Sequence, residues 1–188
     1  MDVTTTGPWW DAGTLTPERH YRLIQQRHAV AQRAGLGVAF MSAIWDPLPA
    51  EVSREMRQWL VNTICKQPTE HLLFMGKIMS VAMCFRALVG ALLRNEVDAR
   101  LMTVEEIMKV AMGEDEVEAG VLFVSDFAIK DEPRSDPVKR KLMGVIRQRI
   151  NGGLPTCLYS SNETVVSQLF GPTAQQELAH HFSALVIT

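Results

Sequence analysis

Two kinds of segment alternate along the chain. Short apolar runs recur as His71-Leu-Leu-Phe-Met75 ending at Gly76, Ala99-Arg-Leu-Met-Thr103, Gly120-Val-Leu-Phe-Val124, Thr156-Cys-Leu-Tyr-Ser160 and Ser183-Ala-Leu-Val-Ile-Thr188. Each has the length of a strand. Between them lie stretches of helical character: Val81 to Arg94, a segment opening at Thr103 whose Glu106 completes a capping box, Pro137 to Ile150, and Glu163 to His181 with a break at Gly171-Pro172. Strands interleaved with helices predict a parallel sheet covered on both faces.

Two further helices are predicted ahead of the first strand. One starts with Pro17 at its first helical position and ends near Gly35. The other follows Pro49 and sets Val52, Met56, Trp59, Leu60 and Thr63 on one face. Residues 1–15 have no periodicity and read as an irregular arm, leaving 16–188 as a single α/β domain. Two adjacent tryptophans in that arm, Trp9 and Trp10, need burial, either against their own domain or as an anchor in a partner.

Composition narrows the class. At 188 residues, 47% hydrophobic and 21% charged, the chain has the profile of one globular domain with a sizeable core. A net charge of −2 argues against a protein that lives by coating nucleic acid. A local basic stretch, Lys139, Arg140, Lys141, Arg147 and Arg149, reads either as a solvated helix face or as a contact to phosphates. The acidic run from Gly113 to Glu118 lacks a histidine and reads as a solvated loop. His180 and His181 diverge by ~100° on a helix and cannot face one metal, so no metal site is expected. Cys65, Cys84 and Cys157 are too far apart in sequence for a disulfide framework or metal ladder. The N-terminus has no secretory pattern, and apolar runs such as Ile78 to Phe85 fall short of the ~20 residues that span a bilayer. The expectation is a soluble, cytoplasmic protein.

In a parallel α/β sheet, ligands sit at the carboxyl ends of the strands. That rule points to Gly76, to Ser125-Asp126 and to Ser160-Ser161-Asn162. A strand ending in glycine before a helix is where a phosphate loop belongs, and its working form is G-x-x-x-x-G-K-[ST]. Here Val81, Ala82 and Met83 stand where glycine, lysine and a hydroxyl residue are needed, and Lys77 is out of register. The third strand should end in an acidic pair that holds magnesium. Ser125 replaces the first carboxylate and only Asp126 remains. Asn162 has the position of a polar sensor for a γ-phosphate, or caps the helix that starts at Glu163. With lysine, hydroxyl and first carboxylate all lacking, neither binding of ATP and magnesium nor catalysis is expected.

The segments RHAVAQRAGLGVAFMSAIWDPLP, EHLLFMG, ARLMTVEEIM, VLFVSDF and VIRQRINGGLPTCLYSSN, in this order, resemble the DnaC/IstB-type helicase-loader family of AAA+ ATPases. In the last segment Arg149, Pro155, Thr156, Ser161 and Asn162 match the family pattern. The resemblance runs from about residue 25 to the end. It implies a P-loop NTPase (AAA+)-like five-stranded parallel sheet sandwiched by helices, with no separate lid domain. Gly76, Lys77, Asp126 and Asn162 would be remnants of a nucleotide site. The chain departs from the family pattern in a short link, Val104 to Ala119, where initiator-type members carry a helical insertion, and in an arm with Trp9 and Trp10 where the family has a helicase-binding domain. The implied function is that of a catalytically inactive, phage- or mobile-element-like member that binds a replicative helicase, its loader or a related replication protein. Alternatives are a divergent active ATPase using Lys77, Asp126 and Asn162, and a subunit of a mixed AAA+ assembly lending Arg147 or Arg149 to a neighbour. Lys139, Arg140, Arg147 and Arg149 would be the contacts to single-stranded DNA or to another subunit.

Overall fold

Apolar runs that lack a polar-alternating face need cover on both sides, and the computed structural model supplies it. Residues 17–37, 44, 48, 52–113, 117–130 and 132–187 are described, so the Trp9-Trp10 arm and most of the acidic run lie outside the described residues. The order of elements is α1 (Pro17–Arg33), α2 (Arg54–Ile64), β1 (His71–Gly76), α3 (Ile78–Arg94), β2 (Ala99–Met102), α4 (Val104–Met112), β3 (Val121–Ala128), α5 (Asp136–Asn151), β4 (Thr156–Ser160), α6 (Glu163–Phe170), α7 (Pro172–His181) and β5 (Phe182–Ile187). All five strands are parallel, in the order β2-β3-β4-β1-β5.

The helices divide between the faces. Helices α1, α2 and α3 pack on one side of the sheet around Phe74, Phe85 and Phe123. Helices α4 to α7 pack on the other around Leu122, Leu158 and Phe127. Right-handed crossovers require this split, because the chain leaves β1 in one direction through α3 and returns in the other through α4 to α7. On the first face Phe85 meets Phe74 and Phe123 edge-on at 4.9 and 5.2 Å, and Trp59 joins at 6.2 Å from Phe123. Burial of each such side chain contributes roughly 1.5–3 kcal/mol.

Local signals set the boundaries. Ser53 caps α2, accepting from the Met56 N–H, so the helix starts later than the sequence suggests and Val52 precedes it. Its apolar face, Met56, Trp59, Leu60 and Thr63, is buried as expected. Thr103 and Glu106 form the predicted capping box of α4. The predicted break at Gly171-Pro172 separates α6 from α7. Two expectations change. Helix α3 begins at Ile78 rather than Val81, and β3 runs on to Ala128, so Ser125 and Asp126 lie inside the strand.

The two sheet edges differ. The Leu101 N–H of β2 donates to the Ala34 carbonyl at 2.8 Å, and a Cβ on Gly35 would come within 1.9 Å of the Leu101 oxygen. Only glycine permits that approach. The segment after α1 thereby covers the β2 edge, whereas β5 pairs only with β1 among the described residues.

Candidate functional site

The chain reverses its direction of travel across the sheet between β1 and β4, and a crevice at such a point is where α/β folds bind ligands. Gly76 ends β1 there with φ +139, a conformation that side chains resist. Its surroundings are protein. A Cβ at Gly76 would sit 2.0 Å from the Ile187 carbonyl oxygen of β5. The Gly76 carbonyl accepts the Tyr159 hydroxyl at 3.1 Å. The glycine is therefore required by sheet packing.

Only Lys77 separates β1 from α3. It occupies the N-cap position, exposed and without a side-chain capping bond, and its carbonyl already accepts the helical bond from Val81 at 3.1 Å. Ile78, Met79 and Ser80, the positions of a phosphate-loop interior, form a helical turn. Val81 is buried in the core below it. Ile78, Met79 and Met83 are exposed, Met79 at 67%, so this end of α3 presents an apolar surface. A phosphate nest needs successive backbone N–H groups turned toward one point, which a regular helix beginning one residue after the strand does not provide beyond its own end.

At the end of β3 the ladder is irregular. Val124 pairs with Leu158 and Ala128 with Ser160, so β3 spends four residues where β4 spends two. Bulges of this kind re-aim side chains. The Ser125 hydroxyl donates to the Met102 carbonyl at 3.4 Å. An Asp126 carboxylate oxygen accepts the Val104 N–H at 2.7 Å, at the start of α4. Arg134, nearly buried, donates to the Asp126 carbonyl and approaches its other carboxylate oxygen at 3.4 Å. Asp126 thus links the loop before α5 to the β2–α4 turn.

Asn162 caps α6. Its side-chain oxygen accepts the N–H groups of Thr164 at 3.0 Å and Val165 at 3.2 Å, and the Thr164 hydroxyl at 2.9 Å. Ser161 ties the end of β4 to β3, its N–H donating to the Ala128 carbonyl at 2.8 Å while its hydroxyl accepts from Lys130 at 3.0 Å. Gly76, Asp126 and Asn162 all lie at the carboxyl edge of the sheet, yet each is engaged with its own neighbours.

The basic stretch on α5 splits. Arg140 and Lys141 are exposed, Lys139 lies 3.4 Å from Asp136, and Arg147 holds Glu177 of α7 through Nε and Nη2, both at 2.7 Å. That pair lowers the Glu177 carboxyl below its usual range and raises Arg147, chiefly through the shared hydrogen bonds. Arg149 corrects the sequence reading. It is 3% exposed and donates to the Thr156 hydroxyl at 2.9 Å and to the carbonyls of Ala119 at 3.0 Å and Pro155 at 3.1 Å. Burial lowers its pKa to about 10. A guanidinium used this way reaches neither DNA nor a neighbouring subunit. Trp9 and Trp10 fall outside the described residues.

Tyr159, Ile187 and Arg134, which close the site, were not singled out in the sequence. Tyr159 stands in an otherwise small and apolar run just before Ser160-Ser161, and that hydroxyl was the available signal.

Five parallel strands in this order, layered between helices, with the reversal beside β1, define a P-loop NTPase fold of the AAA+ type. Solved structures agree. The crystal structure of the DnaC helicase loader matches with a TM-score of 0.62 at 15% identity, over 81% of this chain and 100% of that one. AMPPCP-bound DnaA from Aquifex aeolicus matches at 0.56 and 6% identity, over 77% of this chain and 49% of that one. A DNA replication initiation factor matches at 0.57 and 6%, over 77% and 48%. The chain spans about half the length of the last two. At these identities the likeness is one of fold. No protein-family model and no curated protein matches the sequence.

Proposed function

We propose that the chain is a non-catalytic, helicase-loader-like binding protein of DNA replication. It recruits or blocks a replicative helicase, its loader or a related replication protein, and works in the cytoplasm. The observation that carries this reading is the helical turn at Ile78 to Ser80, which stands where an AAA+ ATPase needs an open phosphate loop. The other residues give the same support. Val81, Ala82 and Met83 offer no lysine or hydroxyl, the Ser125 hydroxyl is bonded to a main-chain carbonyl, and Asp126 is committed to Val104 and Arg134. Such a set does not fit a magnesium nucleotide, whose phosphate charge would go unneutralised. A fold kept without its reaction centre leaves the surface as the seat of function. Among the described residues no helix is long and apolar enough to cross a membrane.

Two measurements test the reading. Titration of a fluorescent ATP analogue, with and without magnesium, should give no saturable binding. Micromolar affinity together with magnesium-dependent turnover would restore the ATPase alternative. Immobilised protein should retain a replicative helicase or its loader from purified components. No retention at concentrations where an active loader binds would remove the partner assignment.

A further inference from the structure

At the β2 edge the Ala34 carbonyl already accepts the Leu101 N–H, whereas the outer row of main-chain donors and acceptors on β5 meets no strand among the described residues. Proteins blunt a free edge with charge, proline, a bulge or extreme shortness. None of these is found in β5. Phe182-Ser-Ala-Leu-Val-Ile187 has no proline and no charged residue, and it keeps unbroken register with β1 over its six residues. On the face of α4 to α7, Phe182 is buried, Ala184 is exposed and Val186 is 69% exposed. On the other face Leu185 borders an open groove of about 730 Å³ between β5 and α2, lined also by Gln58, Trp59, Asn62 and Leu72. A further strand laid along β5 therefore has room for its side chains on both faces without displacing α2.

Symmetry selects the occupant. The strand that best complements β5 is uncharged, apolar and β-branched, and β5 itself meets that description. Two copies related by a two-fold axis normal to the sheet pair their edges antiparallel and keep like faces on the same side. With the axis at Leu185, Val186 lies opposite Ala184 of the second copy, so the exposed apolar pair is covered twice, and the Leu185 side chains meet in the joined grooves. An axis at Ala184 would instead oppose Val186 to Phe182, which is already buried. Charge does not oppose the match. Arg54 and Glu55 at the groove rim carry one charge of each sign, and Glu70, the third charged residue there, accepts the Ser183 hydroxyl. Each copy spends its free edge in the pairing, and the covered β2 edge offers no place for a third sheet.

We infer that the chain forms a closed two-fold dimer by antiparallel pairing of β5 with β5 of a second copy, centred on Leu185, which joins the two five-stranded sheets into one. The inference does not depend on the reading of the nucleotide site, and it differs from a head-to-tail ring, in which two unlike surfaces meet. Sedimentation velocity across the micromolar range should show a monomer–dimer equilibrium and nothing larger. Val186→Lys, at an exposed position, should weaken association about 10-fold or more and leave the melting of dilute protein unchanged. Adding Ala184→Glu to Val186→Lys should restore most of the affinity, because the ammonium then faces a carboxylate across the seam. Leu185→Cys in a Cys65→Ser background should give a covalent dimer under mild oxidation, since directly opposite residues lie ~4.5–5.5 Å apart, within disulfide reach. The remaining thiols, Cys84 and Cys157, are buried. A monomer at every concentration, a dimer indifferent to Val186→Lys, or open-ended growth would each overturn the dimer, and no rescue together with no cross-link would overturn the Leu185 register. Addition of a foreign extended peptide to a parent that never self-associates would also overturn it, and would hand the edge to another protein.

Discussion

The Asp126 carboxylate accepts the Val104 backbone N–H at 2.7 Å. Val104 is the first residue of α4, and helices leave their first N–H groups without internal partners. A carboxylate there satisfies one of them and meets the positive end of the helix. The opposite side of the same carboxylate faces Arg134.

Asp126→Asn should therefore lower stability by about 1–2 kcal/mol, through loss of a charge-assisted cap and of the partner of a nearly buried arginine. Urea denaturation measures it. Binding of an ATP analogue should be the same in parent and variant. A variant of unchanged stability that lost nucleotide turnover would return Asp126 to a catalytic role.

Gly76→Ala places a methyl where the Ile187 carbonyl sits, 2.0 Å away, at a φ of +139. The backbone of β1 or β5 must move, at a cost of about 2 kcal/mol or more. For a chain of this size that corresponds to a Tm lower by roughly 4–8 °C, read by calorimetry. A variant that melts with the parent would show that β5 yields there without cost.

Arg149→Met removes the donors that the Thr156 hydroxyl and the Ala119 and Pro155 carbonyls use. Pro155 keeps the Leu122 N–H and Thr156 keeps its bond to the Leu154 carbonyl, so the Ala119 carbonyl is the acceptor left without its donor, and the loss should be about 2–3 kcal/mol. Arg149→Lys should recover only part of it, because an ammonium on a flexible stem cannot reproduce the planar fork.

His71 is buried, with its ring 5.0 Å from that of Phe182 and no hydrogen-bond partner at Nδ1 among the described residues. Burial lowers its pKa below the ordinary histidine value, helped by the charges of Arg149 and His181. The unfolded chain then takes up a proton that the folded chain refuses, so stability is full above pH ~6.5 and falls as the pH drops below it. His71→Leu should flatten the profile between pH ~6.5 and the carboxylate range. An identical slope in parent and variant would assign the loss to other groups.

Much of the fold was legible because its codes are local. The five apolar runs became the five strands, Thr103 and Glu106 marked the start of α4, and Gly171-Pro172 marked the break between α6 and α7. Strand order was not legible, since nothing in an apolar run names its neighbour. The bulge that turns Asp126 toward Val104 depends on the pairing of β3 with β4 and was equally hidden. The burial of Arg149 has a signal in the sequence. Leu142, Val145, Ile146 and Arg149 follow the i, i+3, i+4, i+7 pattern of a buried stripe, and all four are buried. Its charge points to the surface, whereas its place in the stripe points to the core. Gly76 was read as the opening of a phosphate loop, whereas its lack of a side chain serves the approach of Ile187.

The one-residue step from β1 into α3 bears on whether this chain could be converted into an ATPase. Installing glycine, lysine and threonine at Val81, Ala82 and Met83 would hang a lysine on the flank of an already formed helix, one turn past its start. The prior requirement is to unwind Ile78 to Ser80, whose helical bonds resist it, as does the burial of Val81 just beyond. Regaining catalysis is for this architecture a refolding problem before it is a chemical one.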